Sequence, residues 1–275
     1  MVTMELSKDD QKFLFDIVLQ KSAIVLDESK DYLVCNRLSP LLKTHQLPSL
    51  SELIRQIKVL HNEKLLVEII DALTTNETLF FRDLKPFDIL KTNIIPALIE
   101  KNKASKAIRI WSAACSTGQE AFSIAMTIRE NFPQLSSWNI SIVGTDICHE
   151  VLARATAGVY SQAEVNRGLP IKMLVKYFTN DQGRWIVKDD LKKMVKFEYL
   201  NFVDKWPPMM AMDIIFIRNV LIYFNPQVKT TILTKMSKQL NKDGYLFLGS
   251  SESLIGLEVP FKGVVADNVR YFTTV

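Results

Sequence analysis

The stretch at 108–123, IRIWSAACSTGQEAFS, constrains the fold more than any other part of this chain. An apolar, β-rich run at 108–111 breaks into small residues at 112–118, and a helical pattern starts at Glu120. A strand, a tight small-residue loop and a helix start form the cradle used by nucleotide-type ligands in doubly wound α/β folds. Small side chains let a ligand approach the backbone, and a helix N-terminus presents unpaired N–H groups. This loop departs from both common phosphate-binding patterns. It has one glycine, Gly118, where a dinucleotide fold uses G-x-G-x-x-G, and it lacks the lysine of a phosphate loop. It carries an acid instead, Glu120. A carboxylate there repels phosphate and favours a cationic or hydroxyl-rich ligand.

At 275 residues the chain can form one large domain or two smaller ones. Its 48% apolar content supports a real core, and 23% charged residues is ordinary for a soluble protein. The net charge of +4 is too mild to demand an acidic partner, and no lysine-arginine tail points to nucleic acid. No apolar run is long enough to insert in a membrane, and MVTMELSKDDQKF is not a secretory signal. Cys35, Cys115 and Cys148 are scattered and odd in number, which points to a reducing, cytoplasmic setting without disulfides. The three histidines, His45, His61 and His149, form no His/Cys cluster, so the chain is read as having no metal site.

Residues 1–75 read as helices. Phe13, Ile17, Leu19 and Ile24 recur at helical spacing, as do Leu53, Ile57 and Leu60, and then Leu65, Leu66, Ile69, Ile70 and Leu73. Pro40 and Pro48 are expected to bound short connections. A linker is expected at 76–95. From 96 to 275, strand-like runs at 108–111, 140–144, 194–199, 212–217 and 244–249 alternate with helical ones at 121–131, 149–156 and 227–240. That alternation predicts a parallel, Rossmann-like sheet with crossover helices. Runs at 261–265 and 270–275 around Ala266-Asp267-Asn268 predict a terminal antiparallel hairpin. At about 158–193 the rhythm breaks, and an inserted small β-subdomain is expected.

Several residues sit where a ligand would. Asp146 ends the second strand, where an acid accepts hydrogen bonds from ribose hydroxyls, at a spacing after Gly118 near that of nucleotide-binding units. Arg218 and Asn219 emerge at the end of the fourth strand, and the face of nearby Tyr223 could attract a cation. The plainer reading makes Arg218 a surface salt-bridge partner, but its position at the strand end favours a ligand role. Asn201 and Phe202 follow another strand and could hold and wall a base, or form a plain turn. NETLFFRD at 76–83 is unusual for a linker, though Thr75 or Asn76 could simply cap a helix. The polar run 249–253 reads as loop, and Met209, Met210 and Met212 as core or loop packing.

Together these motifs resemble the CheR-type family of bacterial chemotaxis receptor methyltransferases. The resemblance rests on NETLFFRD at 76–83, IWSAACSTGQEAFSIA at 110–125, GTDI at 144–147, IFIRNVLIYF at 215–224 and GYLFLGSSESL at 244–254. It covers nearly the whole chain in order. It implies an all-helical N-terminal domain that docks on receptors and an S-adenosylmethionine-dependent methyltransferase domain with an inserted β-subdomain. S-adenosylmethionine carries a sulfonium, an ammonium and ribose hydroxyls and no phosphate, which suits the acidic loop. The implied reaction moves its methyl group to glutamate side chains on cytoplasmic helices of methyl-accepting chemotaxis receptors, leaving S-adenosylhomocysteine. Cofactor binding falls by resemblance on Asn76, Thr78, Arg82, Glu120, Asp146, Asn201, Phe202, Arg218 and Asn219, and catalysis on Arg82 and Tyr223. A basic docking surface in the helical domain corresponds to Lys30, Arg37, Lys43, Arg55 and Lys58, which outnumber Asp31 and Glu52. The compact run at 179–185 resembles members that do not bind a receptor C-terminal pentapeptide, and the chain is read as a cytoplasmic monomer.

A glutamate acceptor is ionised near neutral pH, with a reference pKa of about 4.3, so no general base is needed. That suits a chain without an obvious catalytic histidine. The rival readings are a methyltransferase of nucleic acid or small molecules, and a cofactor-binding sensor or adaptor. The mild charge and the absence of a D/N-P-P-Y/F motif argue against nucleic acid.

Overall fold

Three helices of the N-terminal region begin where a short polar side chain takes up an orphan N–H. In the computed structural model, which describes residues 6–26 and 31–275, Ser7 accepts from the Asp10 N–H (3.1 Å), Ser49 from Glu52 (3.2 Å) and Asn62 from Leu65 (3.1 Å). These caps open α1 (Lys8–Ser22), α3 (Leu50–Lys58) and α4 (Glu63–Leu73); α2 (Asp31–Thr44) lies between. Residues 1–75 with 223–228 make one compact unit, and 76–222 with 229–275 make a second.

In the first unit α4 buries all five residues of its stripe, and Leu53 and Ile57 are buried in α3. Three sequence expectations are corrected. In α1 the buried residues are Leu14 and Val18, while Leu19 is exposed. Apolar residues fill 13–15 and 17–19 in parallel, so the pattern leaves the phase open and packing selects the neighbouring stripe. Leu60 lies beyond α3 and is exposed. Pro40 sits inside α2 rather than at its boundary. A proline there leaves the carbonyl four residues earlier without its donor. The Ser39 hydroxyl takes that place on Asn36 O at 3.0 Å.

The predicted basic surface is also changed. The Arg37 guanidinium donates to Leu73 O (2.7 Å), Thr74 O (3.0 Å) and Thr75 Oγ1 (3.1 Å), so it caps the C-terminus of α4. Arg55 holds Glu52 by two bonds at 2.7 and 2.8 Å, which, with help from Gln56, lowers the Glu52 carboxyl to about 2. Lys58 lies over the Phe13 ring at 5.3 Å. Lys30 lies outside the described residues.

The second unit opens with packed structure rather than a plain linker. Phe80, Phe81 and Phe87 are buried, and α5 (Lys85–Ile89), a π-helical turn (Leu90–Ile94) and α6 (Ile95–Lys101) run on without a break. Pro86 and Pro96 stand in the first turns of α5 and α6, where the missing N–H costs nothing. There follow β1 (Ala107–Ala113), α7 (Gln119–Asn131), β2 (Asn139–Asp146) and α8 (His149–Ala157). The insertion contributes β3 (Val159–Ser161), α9 (Gln162–Asn166), α10 (Ile171–Tyr177), β4 (Phe178–Asp181), β5 (Arg184–Val187) and α11 (Asp189–Lys192). The chain returns through β6 (Val195–Tyr199), β7 (Met212–Ile217), α12 (Pro226–Gln239) and β8 (Leu240–Leu248), and closes with β9 (Phe261–Ala266) and β10 (Val269–Thr274).

The main sheet has the order β6-β2-β1-β7-β8-β10-β9, parallel except that β10 runs against both β8 and β9. The insertion forms a separate antiparallel sheet, β3-β5-β4. All six residues of β7, MDIIFI, are buried, as a strand covered on both faces requires. The chain reverses its direction of winding at β1, between β2 and β7, so a crevice opens beyond the carboxyl ends of those strands. Trp111 is fully buried there, its indole N–H 2.9 Å from Thr145 Oγ1.

Gly144 in β2 lies under the Phe197 ring; a Cβ would stand 2.6 Å from that ring and 3.0 Å from the Cys115 sulfur. Gly144→Ala is therefore expected to destabilise the chain by about 1–3 kcal/mol, the range for overpacking a filled core. Chemical denaturation checks this, and an unchanged midpoint would contradict the packing described.

Candidate active site

The loop after β1 needs several residues in backbone regions that L-amino acids avoid. Ala114 has φ 57°, Ser116 φ 49° and Gly118 φ 90°. Such residues persist only where their surroundings hold them. Here the holder is Asp146 at the end of β2. Its Oδ2 accepts from the Ser116 N–H (2.8 Å) and its Oδ1 from the Cys148 N–H (3.0 Å). The Cys115 N–H reaches Thr145 O at 2.9 Å. Asp146 is itself buried. The inserted subdomain grips the same loop, because the Tyr160 hydroxyl in β3 donates to Thr117 O at 2.7 Å. Burial pushes the Tyr160 pKa well up, so the hydroxyl remains a donor. Burial, reinforced by the Asp146 and Glu120 carboxylates, likewise keeps the Cys115 thiol protonated.

Glu120 stands in the first turn of α7. Its Oε1 accepts from the Ser112 hydroxyl (2.7 Å) and its Oε2 from Arg218 Nη1 (2.9 Å). Arg218 follows β7 with a side chain only 1% exposed, so it is a buried cation rather than a surface partner. Its Nη2 donates to Asp83 Oδ2 (2.6 Å) and Arg82 O (2.8 Å), while its Nε–H has no acceptor among the described residues. One guanidinium thus joins the helix after β1, the end of β7 and the segment 76–83.

That segment is itself held in unusual geometry. Phe81, Asp83 and Leu84 have φ of 51°, 68° and 45°. Phe80 fixes it from one side, edge-on to Tyr160 (5.0 Å) and Phe178 (5.7 Å). Asn76 O accepts from the Ser116 hydroxyl at 2.7 Å, and the Phe81 N–H donates to Ser123 Oγ at 3.0 Å. Thr78 and Arg82 are half-buried, and Arg82 Nη1 donates to Glu77 O at 3.1 Å.

Asn201 and Phe202 are buried beyond β6, with the Val203 N–H on Asn201 Oδ1 (3.3 Å). Phe202 O accepts from Trp206 Nε1 (3.2 Å) and Lys235 Nζ (3.1 Å), and Trp206 stands edge-on to Trp111 at 5.3 Å. Asn219, with φ 59°, has its N–H on Glu252 Oε2 at 2.8 Å. Met212 is buried in β7 and Met210 is exposed. Tyr223 ends a short 3-10 turn, Leu221–Tyr223, and counts with the first unit, where its carbonyl accepts from the Val25 N–H at 3.2 Å. In the second unit Asn76 and Asp146 thus meet through Ser116, Glu120 and Arg82 meet through Arg218, and Asn219 follows Arg218 along the chain with its N–H on Glu252.

Sequence reasoning gave no role to Ser112 or Asp83, and it read Glu252 as plain loop. Ser112 and Asp83 lay inside quoted motifs, but nothing in a motif says which side chains meet. Among the described residues no cluster of His, Cys, Asp and Glu could hold a metal ion, and no helix is long and apolar enough to cross a membrane.

Comparison with known proteins agrees with this architecture. The family described as CheR methyltransferase, SAM binding domain, matches residues 76–269, and the CheR methyltransferase all-alpha domain matches 9–74. A chemotaxis protein methyltransferase of Vibrio parahaemolyticus is 42% identical over 267 residues, covering 96% of both chains. Chemotaxis protein methyltransferase 1 of Pseudomonas aeruginosa is 42% identical over 250 residues, covering 89% of this chain and 90% of its own. A chemotaxis protein methyltransferase of Borreliella burgdorferi is 38% identical over 260 residues, covering 93% and 92%.

Arg218→Lys tests the buried cation. An ammonium has no planar fork and cannot meet Glu120, Asp83 and Arg82 O together. Breaking such a buried arrangement is expected to cost about 3 kcal/mol or more. Thermal melting of the purified variant checks this, and a wild-type melting curve would show that the guanidinium does not hold these elements together.

Proposed function

The chain belongs to the CheR methyltransferase family and is an S-adenosylmethionine-dependent methyltransferase of chemotaxis, and we propose that it esterifies glutamate side chains of chemoreceptors through the residues gathered at the strand ends. The observation that carries this reading is the Arg218 guanidinium, which ties NETLFFRD to the cofactor loop. NETLFFRD lies outside the general methyltransferase pattern, so its union with the pocket points to a particular acceptor.

The donor set fits the cofactor. Two acids, Glu120 and Asp146, stand where cationic and hydroxyl groups would be received, and no lysine occupies the loop for phosphate. The buried, unpartnered Nε–H of Arg218 suits a carboxylate such as the one on the cofactor's amino-acid end. In this proposal Asn76, Thr78, Glu120, Asp146, Asn201, Phe202, Arg218 and Asn219 hold the cofactor, with Arg82 shared between cofactor and acceptor. When bound, S-adenosylmethionine supplies an electrophilic methyl group on a sulfonium.

The chain's own residues then have little acid–base chemistry to perform. The acceptor carboxylate is ionised at neutral pH, with a reference pKa near about 4.3. Their work is alignment of an in-line displacement and exclusion of water. Arg82 is the proposed partner of the acceptor carboxylate, since a guanidinium matches that group in plane and charge. Tyr223 is proposed, on the family's pattern, as the tyrosine near the transferred methyl, where an aromatic face attracts positive charge. The turn between β4 and β5 is only Gln182-Gly183, both with positive φ. So short a turn supports docking that does not use a receptor C-terminal pentapeptide. The proposed setting is cytoplasmic, with the chain acting as a monomer.

Receptor-rich membranes incubated with methyl-tritiated cofactor are expected to gain base-labile label. Methylated RNA with unlabelled receptors would overturn the reading. Asp146→Ala is expected to weaken cofactor binding at least tenfold, because it removes an acceptor and frees the strained loop. Titration calorimetry checks this, and unchanged affinity would remove Asp146 from the site. Arg82→Ala is expected to cut receptor methylation about a hundredfold or more while melting near wild type, because among the described residues the Arg82 side chain makes one hydrogen bond, to Glu77 O, and the backbone bond from Arg218 survives the substitution. Full turnover by this variant would count against its role.

A further inference from the structure

Beyond β7 the chain must turn, and three successive N–H groups lose the strand partners they would have had. Those of Asn219, Val220 and Leu221 converge on one carboxylate, Glu252. Oε1 accepts from Val220 (3.0 Å) and Leu221 (2.8 Å). Oε2 accepts from Asn219 (2.8 Å) and also from Gly249 (2.7 Å), the first residue past β8. The Glu252 N–H returns to Gly249 O at 3.0 Å, closing the turn that presents the carboxylate. Successive backbone N–H groups of this kind form a concave anion site. Here the chain fills it with its own side chain.

The consequence falls on the two residues at the lip of the crevice. Asn219 is held at φ 59°, a left-handed conformation that persists in such a residue only when its surroundings support it. Arg218 immediately precedes it and must leave the strand in the direction that reaches both Glu120 and Asp83. We propose that Glu252 is a positioning residue for cofactor binding: its carboxylate clamps the ends of β7 and β8 and so sets the backbone from which Arg218 and Asn219 project. This rests on the reading of Arg218 and Asn219 as cofactor-holding residues. Glu252 acts through them and touches no reacting group.

Glu252→Gln tests the clamp with a side chain of the same shape. An amide turns one acceptor into a donor facing N–H groups, so two of the four bonds are lost. Calorimetry with S-adenosylhomocysteine is expected to give an affinity about tenfold or more below wild type, the effect of losing bonds to a charged acceptor. Initial rates on receptor membranes are expected to show a raised KM for S-adenosylmethionine, with kcat at saturation kept within about twofold. Ser253→Ala removes a neighbouring bond, from the Ile255 N–H at 3.1 Å, and is expected to leave affinity unchanged. If Glu252 acts through Asn219 and its neighbour, the loss from Glu252→Gln shrinks in an Asn219→Ala background instead of adding. Wild-type affinity in Glu252→Gln, a fall in kcat with KM unchanged, or simple additivity would each overturn the proposal. Wild-type protein that fails to bind the ligand would overturn the pocket reading, and this inference with it. Should Glu252→Gln fail to fold, Glu252→Asp keeps the charge on a shorter arm and carries the same test, with weakened binding and non-additivity expected.

Discussion

The buried guanidinium of Arg218 is the interaction on which the ligand edge of the sheet depends. A charge with a side chain 1% exposed is tolerable only when its donors are met, and Glu120, Asp83 and Arg82 O meet them. Those three acceptors come from two separate parts of the chain, 82–83 and 120, so their convergence on Arg218 fixes the helix after β1, the end of β7 and the segment 76–83 together. The donor left over is Nε, which has no acceptor among the described residues.

Carboxylates elsewhere in the second unit do related work with a different partner, the backbone. Asp146 holds the loop after β1 through the Ser116 and Cys148 N–H groups, and Glu252 holds the ends of β7 and β8. In both places the backbone passes through positive φ at residues other than glycine, at Ala114, Ser116 and Asn219. An ionised acceptor makes stronger hydrogen bonds than a neutral one, which is what such strained turns need. The inserted subdomain belongs to the same support. Tyr160 bonds Thr117 O and packs against Phe80, so one side chain braces both the loop and the segment before it.

Much of the fold was legible in the chain. The strands of the parallel sheet, the terminal hairpin and the inserted β-subdomain all follow from runs of apolar residues broken by turn signals. Errors arose where local pattern underdetermines packing. The doubled apolar runs of α1 allowed two phases, and Pro40 fits a helix because Ser39 repairs the lost bond. Arg37 looked like part of a basic face, yet it caps α4, because a guanidinium near a helix end is drawn to orphan carbonyls. For the site, residue types at strand ends were readable, but the roles of Asp83 and Glu252 were not, since Arg218 and Asn219 lie far from them along the chain, and that of Ser112 was not, since only the turn of the loop brings it back to Glu120.

The sequence by itself determined the class of ligand and the order of the elements. An acid in place of a lysine at 112–120 sets the charge of the pocket, and the period of apolar residues sets helix against strand. Only the tertiary structure decided which charges are spent on one another. Arg218 reads in one dimension as either a surface ion or a ligand contact. Burial excludes the surface ion, because desolvation obliges the guanidinium to find Glu120 and Asp83, and only the folded sheet brings them within reach.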